Sequence, residues 1–274
     1  MLRAAKARTQ MTVLLVGAGR MGGALLKGWR ARKIRPIVVA EPKPSAEIKK
    51  LAHAKEITLI AAPSQVKAKM ISACIIAIKP QVLKGEALSL AAIAQSGTLM
   101  ISIAAGTSVA ALQAAWGKKA RIIRAMPNTP GAIGHGITGL YAAKGATAAD
   151  RKWADALLSA LGETLWVKEE GLIDSVTALS GSGPAYVFHL VEAMTAAGVT
   201  AGLKADEAEK LARATVSGAG ALLAADKAGT ASLREAVTSP GGTTAAALAV
   251  LMPELTELMT RAVMAAKKRA EELG

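Results

Sequence analysis

Apolar residues in the first part of the chain come in short β-branched runs separated by stretches of helical period. The runs are Thr12–Val16, Ile37–Ala40, Thr58–Ile60, Cys74–Ile78, Leu99–Ile103 and Ala120–Arg124. Between them lie Met21–Arg32, Ser45–Ala52, Leu83–Ala94 and Ser108–Trp116, whose apolar positions suit one face of a helix. Alternation of this kind, with strands apolar on both faces, predicts an α/β fold with a parallel sheet covered on each side. Two further strand-like runs, Thr138–Ala142 and Thr164–Val167, flank a helical stretch at Ala148–Leu161.

Beyond the charged segment Lys168–Gly171 the strand signals stop and Ala-rich helical stretches take over: Ile173–Leu179, Pro184–Ala197, Ala205–Ala225, Thr243–Leu251 and Pro253–Leu273. The expected organisation is a basic extension at 1–10, an α/β domain at 11–167 and an all-helical domain at 168–274. The extension lacks the apolar segment of a secretory signal, and Met11 opens the first strand, so a start-site artefact or a basic leader are both open for it. Ala-rich helices offer more apolar face than one small bundle covers, which predicts a homodimer built through the helical half.

Composition narrows the class. Hydrophobic residues make up 52%, too many for a disordered chain, while aromatics are only 3%, so the core must be assembled from Ala, Val, Ile, Leu and Met. The single cysteine, Cys74, sits in an apolar run; it cannot form an internal disulfide and reads as a buried thiol. No apolar stretch is long enough to span a bilayer, so no membrane partner and a cytoplasmic location are expected. The net charge of +14 raises the question of nucleic acid. With four Trp, two Tyr and one Phe in the chain there is no stacking platform, and no nucleic-acid partner is expected. The densest basic patch, Lys27, Arg30, Arg32, Lys33 and Arg35, falls at the end of the first helix, where cations oppose the negative end of its dipole. Such charge also attracts small anions.

The strongest chemical signal is Gly17-Ala-Gly19-Arg20-Met21-Gly22 between the first strand and the first helix. The first glycine permits the tight turn, the second lets the backbone approach a pyrophosphate at the helix N-terminus, and the third lets helix and strand pack closely. The pattern predicts a dinucleotide site. At the end of the second strand, Glu41 suits ribose hydroxyls and NADH, Lys43 suits a 2′-phosphate and NADPH, and a helix-capping role for Glu41 is the alternative. The fourth strand ends at Ala77-Ile78-Lys79-Pro80, where the backbone would face a cofactor. Arg124-Ala-Met-Pro-Asn128-Thr-Pro130 is a rigid polar turn at a strand end, suited to a ligand or to a plain turn. Ser180-Gly-Ser182-Gly-Pro184 opens a helix, as a cap or as a wall beside the nicotinamide. Ser239-Pro-Gly241-Gly242-Thr243-Thr244 presents backbone N–H groups and three hydroxyls before another helix, a suitable seat for a carboxylate. His53, His135 and His189 have no metal-ligand spacing, so no metal is expected and the chemistry must come from a cofactor.

Taken in order behind the dinucleotide fingerprint, Arg124–Pro130, Leu179–Tyr186 and Ser239–Thr244 resemble the Δ1-pyrroline-5-carboxylate reductase family over nearly the whole chain. The resemblance implies a Rossmann-type domain followed by a helical dimerisation domain, with dimers that can assemble into a decamer. It implies reduction of a small-molecule imine to proline with NADPH or NADH. It places the substrate carboxylate at Ser239, Gly241, Gly242 and Thr243, the ring nitrogen at Thr244, and further substrate contacts at Ser180 and Ser182. Cofactor contacts fall on Gly17, Gly19, Arg20, Met21, Gly22, Glu41, Ser64, Ala77, Ile78, Lys79 and Asn128. Glu41 departs from the small hydroxyl residue often found there, and Leu251–Glu254 lacks the charged and Gly-Phe stretch usual before the last helix. Two other readings stay open. One is a related 3-hydroxyacid dehydrogenase, for which Lys204 or Lys210 would be the acid. The other is a non-enzymatic protein that binds dinucleotides or nucleic acid.

Overall fold

The computed structural model describes residues 11–273; the extension expected at 1–10 lies outside them. Two compact units emerge. The first runs through Gly181 and takes back the segment beginning at Lys267; the second is Ser182–Ala266.

In the first unit the elements follow the chain as β1 (Thr12–Val16), α1 (Arg20–Ala31), β2 (Ile37–Ala40), α2 (Ala46–His53), β3 (Thr58–Ile60), β4 (Ile71–Ile76), α3 (Pro80–Glu86), α4 (Ala91–Gln95), β5 (Leu99–Ser102), α5 (Val109–Trp116), β6 (Arg121–Met126), β7 (Gly136–Ala142), α6 (Ala148–Leu158), β8 (Gly162–Trp166) and α7 (Leu172–Val176). The strands form one sheet in the order β3-β2-β1-β4-β5-β6-β7-β8. The pairs from β3 to β6 are parallel, and so is β7 with β8. The sheet is therefore mostly parallel, as expected, with an antiparallel β6–β7 pair. Its linker, residues 127–135, is shorter than the dozen or so residues a parallel crossover needs, so the chain can only turn back.

Strand alternation builds two cores. Val13, Leu15, Val39, Ile75 and Ile101 pack with Leu25, Trp29 and Leu157 on one face. Leu14, Val16, Cys74, Ile76 and Met100 pack with Leu83, Leu90, Leu112 and Trp116 on the other. Two core indoles each find a carbonyl: Trp29 Nε1 donates to Leu157 O at 2.7 Å and Trp116 Nε1 to Ala87 O at 2.8 Å. Cys74 is fully buried, and burial pushes its thiol well above the ordinary range, so it is an inert core residue. Part of the basic patch is tied down. Glu56 takes Arg30 at 2.8 Å and Arg35 at 3.4 Å, and Arg32 bonds Ser159 Oγ.

The second unit holds α8 (Gly183–Thr200), α9 (Ala205–Ala225), α10 (Thr230–Ala236) and the start of α11 (Thr243–Leu273). Two differences from the sequence expectation stand out. The first unit extends past 167 to Gly181, because Ile173 and Ala178 are buried within it. The helices expected on either side of Met252 are one, with Pro253 inside α11. Proline removes one hydrogen bond and crowds the carbonyl four residues earlier. In a 31-residue helix rich in Ala, Leu, Met, Glu and Lys, the remaining turns carry the helix through that defect. No described helix is long and apolar enough to cross a membrane.

Candidate functional site

In the first unit the strand order reverses between β1 and β4, and a ligand crevice is expected outside their carboxyl ends. Backbone bonds draw the strand ends together there: Gly17 N donates to Ala40 O at 2.9 Å and Ala77 N to Val16 O at 2.8 Å. Gly17 turns with φ of 89°, and a Cβ on it would lie 2.7 Å from Ile78 Cγ2 and 2.9 Å from Ala77 O. A Cβ on Gly22 would run into the carbonyl oxygen of Gly17. A Cβ on Gly19 would meet no protein atom within 4 Å. The fingerprint thus has two glycines fixed by the protein's own packing and one that faces open space. The first bond of α1 is Gly23 N to Gly19 O at 2.7 Å. The N–H groups of Arg20, Met21 and Gly22 therefore precede the helix ladder and point from its positive end. Open backbone, free N–H groups and helix dipole fit a pyrophosphate.

Beside this loop lies a cleft of about 550 Å³, lined by Gly17, Gly19, Glu41, Ala62, Ala77, Ile78, Lys79, Val82, Glu86 and Leu90 among others. Of the expected cofactor residues it brings together Gly17, Gly19, Glu41, Ala77, Ile78 and Lys79. β4 ends at Ile76, two residues before the expected end, so Ala77–Lys79 form the mouth of the cleft; Lys79 also caps α3, its carbonyl accepting from Leu83 N at 2.9 Å. Ser64 is exposed in the short turn Pro63–Gln65. Gln65, which sequence reasoning did not single out, fixes the cleft wall: its Oε1 accepts from Ala61 N at 2.7 Å and Ala62 N at 3.0 Å. Asn128 has its amide oxygen accepting from Ile137 N at 3.0 Å, and its NH₂ group can donate to a ligand. Arg124 of the same motif is buried and paired with Glu170 at 2.6 Å; that carboxylate also accepts from Val109 N at 2.7 Å. Burial raises the pKa of the nearby Asp174, an effect the Arg124 charge opposes.

The helical stretch expected at Ile173–Leu179 continues as a wide turn over Thr177–Gly181, and α8 begins at Gly183 with Pro184 in its first turn. The Ser180 hydroxyl donates to Val176 O at 2.9 Å, because a serine inside a helix can bond the carbonyl one turn back. Ser182 caps α8 by its backbone, with no side-chain cap bond.

In the second unit the turn at 239–244 has the expected form with one change. Gly241 takes φ of 70°, and Gly242 N donates to Ser239 O at 3.0 Å, so that N–H closes the turn and is not free. A Cβ on Gly242 would strike Ser239 Oγ, so a side chain at this position displaces that hydroxyl. The first bond of α11 is Ala246 N to Gly242 O at 3.1 Å, which leaves the N–H groups of Thr243, Thr244 and Ala245 ahead of the ladder. Among the described residues, the hydroxyls of Ser239, Thr243 and Thr244 have no hydrogen-bond partner in the chain. Free N–H groups, free hydroxyls and a helix N-terminus form a cradle for a small carboxylate. Among the described residues no three His, Cys, Asp or Glu side chains cluster as a metal site.

Residues 170–273 match a family model described as pyrroline-5-carboxylate reductase dimerisation, and residues 12–106 match one described as NADP oxidoreductase coenzyme F420-dependent. The chain is similar to the pyrroline-5-carboxylate reductase of Pseudomonas aeruginosa, 38% identical over 264 residues that cover 96% of each chain. Among solved structures it resembles a pyrroline-5-carboxylate reductase from Coxiella burnetii, with a TM-score of 0.89, 33% identity and coverage of 97% of this chain and 99% of that one. It also resembles the pyrroline carboxylate reductase of Plasmodium falciparum with NADP bound, with a TM-score of 0.79, 25% identity and coverage of 97% and 99%.

Proposed function

The chain belongs to the pyrroline-5-carboxylate reductase family, and from that we propose how its residues divide the work of the reaction. It is an oxidoreductase that reduces the C=N bond of 1-pyrroline-5-carboxylate to L-proline with NAD(P)H, in proline biosynthesis. The single observation that carries the site assignment is the cradle at 239–244, whose hydroxyls and first-turn N–H groups have no other partner in the chain.

We assign the dinucleotide to the glycine loop and its cleft: Gly17, Gly19, Arg20, Met21 and Gly22 at the pyrophosphate, Glu41 at the ribose, and Ala77, Ile78 and Lys79 at the mouth. Asn128 is assigned through its NH₂ group, and Ser64 through its place beside the cleft wall. When bound, the reduced nicotinamide would supply the hydride that adds to C2 of the pyrroline, the imine carbon, which becomes C5 of proline. The chain's part is to hold the imine still. Ser239 Oγ and the N–H groups of Thr243 and Ala245 grip the carboxylate, while Gly241 and Gly242 shape the turn around it. Thr244 Oγ1 accepts a hydrogen bond from the protonated ring nitrogen, which keeps the better hydride acceptor in place. The proton on that nitrogen can come from water, so no strong protein acid is needed. Ser180, whose hydroxyl bonds its own helix, and Ser182 are assigned as wall residues that limit the space around the ring.

Carboxylate binding is uniform between ground and transition states. Ser239→Ala is therefore expected to raise KM for the imine about tenfold with kcat little changed, as for loss of one hydrogen bond to a charged group. Steady-state kinetics check this, and an unaltered KM would remove Ser239 from the substrate site.

The match to a dimerisation model supports self-association. Within Ser182–Ala266 the buried apolar residues are Ala208 and Ala212, whereas Phe188, Leu211, Val250 and Leu258 are more than half exposed. A unit with so little core of its own needs a cover, and we assign that cover to a second copy, in a homodimer or a decamer built from dimers. Light scattering at micromolar concentration should give at least twice the chain mass of 27.9 kDa; a monomer would refute the assignment.

A further inference from the structure

We infer that Glu41 makes this enzyme select NADH over NADPH, an inference that rests on the cleft being the dinucleotide site. The carboxylate is held at both oxygens. Oε2 accepts from Ala18 N, inside the glycine loop, at 2.9 Å, and Oε1 accepts from Lys43 N at 3.0 Å. The backbone is pinned as well, with Glu41 N donating to Ile60 O at 3.0 Å. Capping of α2 does not explain this residue, because Ser45 fills that role through Oγ to Ile48 N at 3.3 Å.

The position decides what the carboxylate meets. A dinucleotide whose pyrophosphate rests on the Gly19–Gly22 backbone runs its adenosine half along the cleft, which Glu41 lines. The adenosine ribose is the group next to the pyrophosphate, so its hydroxyls come against an anchored anion. Two hydroxyls are donors and suit it. A 2′-phosphate carries nearly two negative charges and no equivalent donor, and it is repelled at short range. The nearby cations do not offset this. Arg20 lines a different groove, with Lys27 and Arg30, and Lys43 is exposed and outside the cleft lining. The charged side chains in the lining are Glu41, Glu86 and Lys79, so the single lysine leaves the cleft with a net negative charge.

Binding can be measured without any imine, by titrating the full chain with NADH and with NADPH and following tryptophan fluorescence or heat. The wild type should bind NADH at least tenfold more tightly than NADPH. Glu41→Gln keeps an oxygen acceptor for Ala18 N and removes the charge; it should shrink that ratio tenfold or more, mainly by tightening NADPH. A second measurement needs no variant: adenosine 5′-monophosphate should displace NADH from the wild type at tenfold lower concentration than adenosine 2′,5′-bisphosphate. Equal or reversed affinities in the wild type, or an unchanged ratio in a folded Glu41→Gln protein, would overturn the inference and leave the dinucleotide site standing. Failure of both dinucleotides to bind would overturn the site and the inference together.

Discussion

Gly22→Ala is expected to lower dinucleotide affinity by a hundredfold or more. A Cβ at Gly22 would run into the Gly17 carbonyl oxygen and sit 3.3 Å from Ala77 Cβ. Both neighbours belong to the strand ends that frame the cleft. Neither is the far end of a flexible side chain, so the clash is relieved only by moving the loop backbone away from α1. Overpacking of this kind destabilises by about 1–3 kcal/mol, and here the displaced atoms are also those that seat the pyrophosphate. Gly19→Ala separates the two effects. Its methyl group meets no protein atom within 4 Å, so thermal stability should stay at the wild-type level while NADH binding is lost, because the methyl fills space the cofactor needs. Fluorescence titration and thermal unfolding of the two variants check this. Wild-type NADH affinity in Gly22→Ala would show that the loop does not hold the dinucleotide.

Much of the sheet was legible because its strands are short apolar runs with abrupt ends. β1, β2 and β3 occupy the residues expected of them. β4 was harder: the run Ile71–Ile78 is apolar except for Ser72, and where it leaves the sheet is decided by Ala77 bonding across to β1 and then lining the cleft. The antiparallel β6–β7 pair has its signal in the short linker 127–135, which is too brief for a parallel crossover. Pro253 misled because a proline reads as a helix end, yet one missing bond does not outweigh a long run of strong helix formers. α10, short and mixed in composition, carried no clear period and was not expected.

The site was legible to a different degree at each motif. The glycine fingerprint announced itself, since glycine there answers a steric demand that the structure displays at Gly17 and Gly22. The turn at 239–244 was legible as an N–H cradle, but which N–H is used up by the turn itself, that of Gly242, depends on backbone geometry. Gln65, Glu86 and Leu90 were not legible at all, because they reach the cleft through tertiary folding and carry no local pattern. Asn128 shows the converse: a polar residue in a rigid turn whose carboxamide oxygen braces β7.

Thr244→Ala is expected to lower kcat by about tenfold to a hundredfold, or about 1.4–2.7 kcal/mol of barrier. The hydroxyl is half-buried at the start of α11, has no partner in the chain, and follows the groups assigned to the carboxylate. A hydrogen bond to the ring nitrogen orients the imine and stabilises its charged form, so its loss should appear in kcat, while KM depends chiefly on the carboxylate grip. Thr244→Ser, which keeps the hydroxyl, should recover most of the rate. The most direct measurement is a single-turnover experiment with pyrroline-5-carboxylate and NADH deuterated at nicotinamide C4, run on the wild type and on Thr244→Ala. Deuterium at C5 of proline, formed at least tenfold more slowly by the variant, is the predicted result. Transfer at the same rate in both proteins, or proline without the label, would contradict the account.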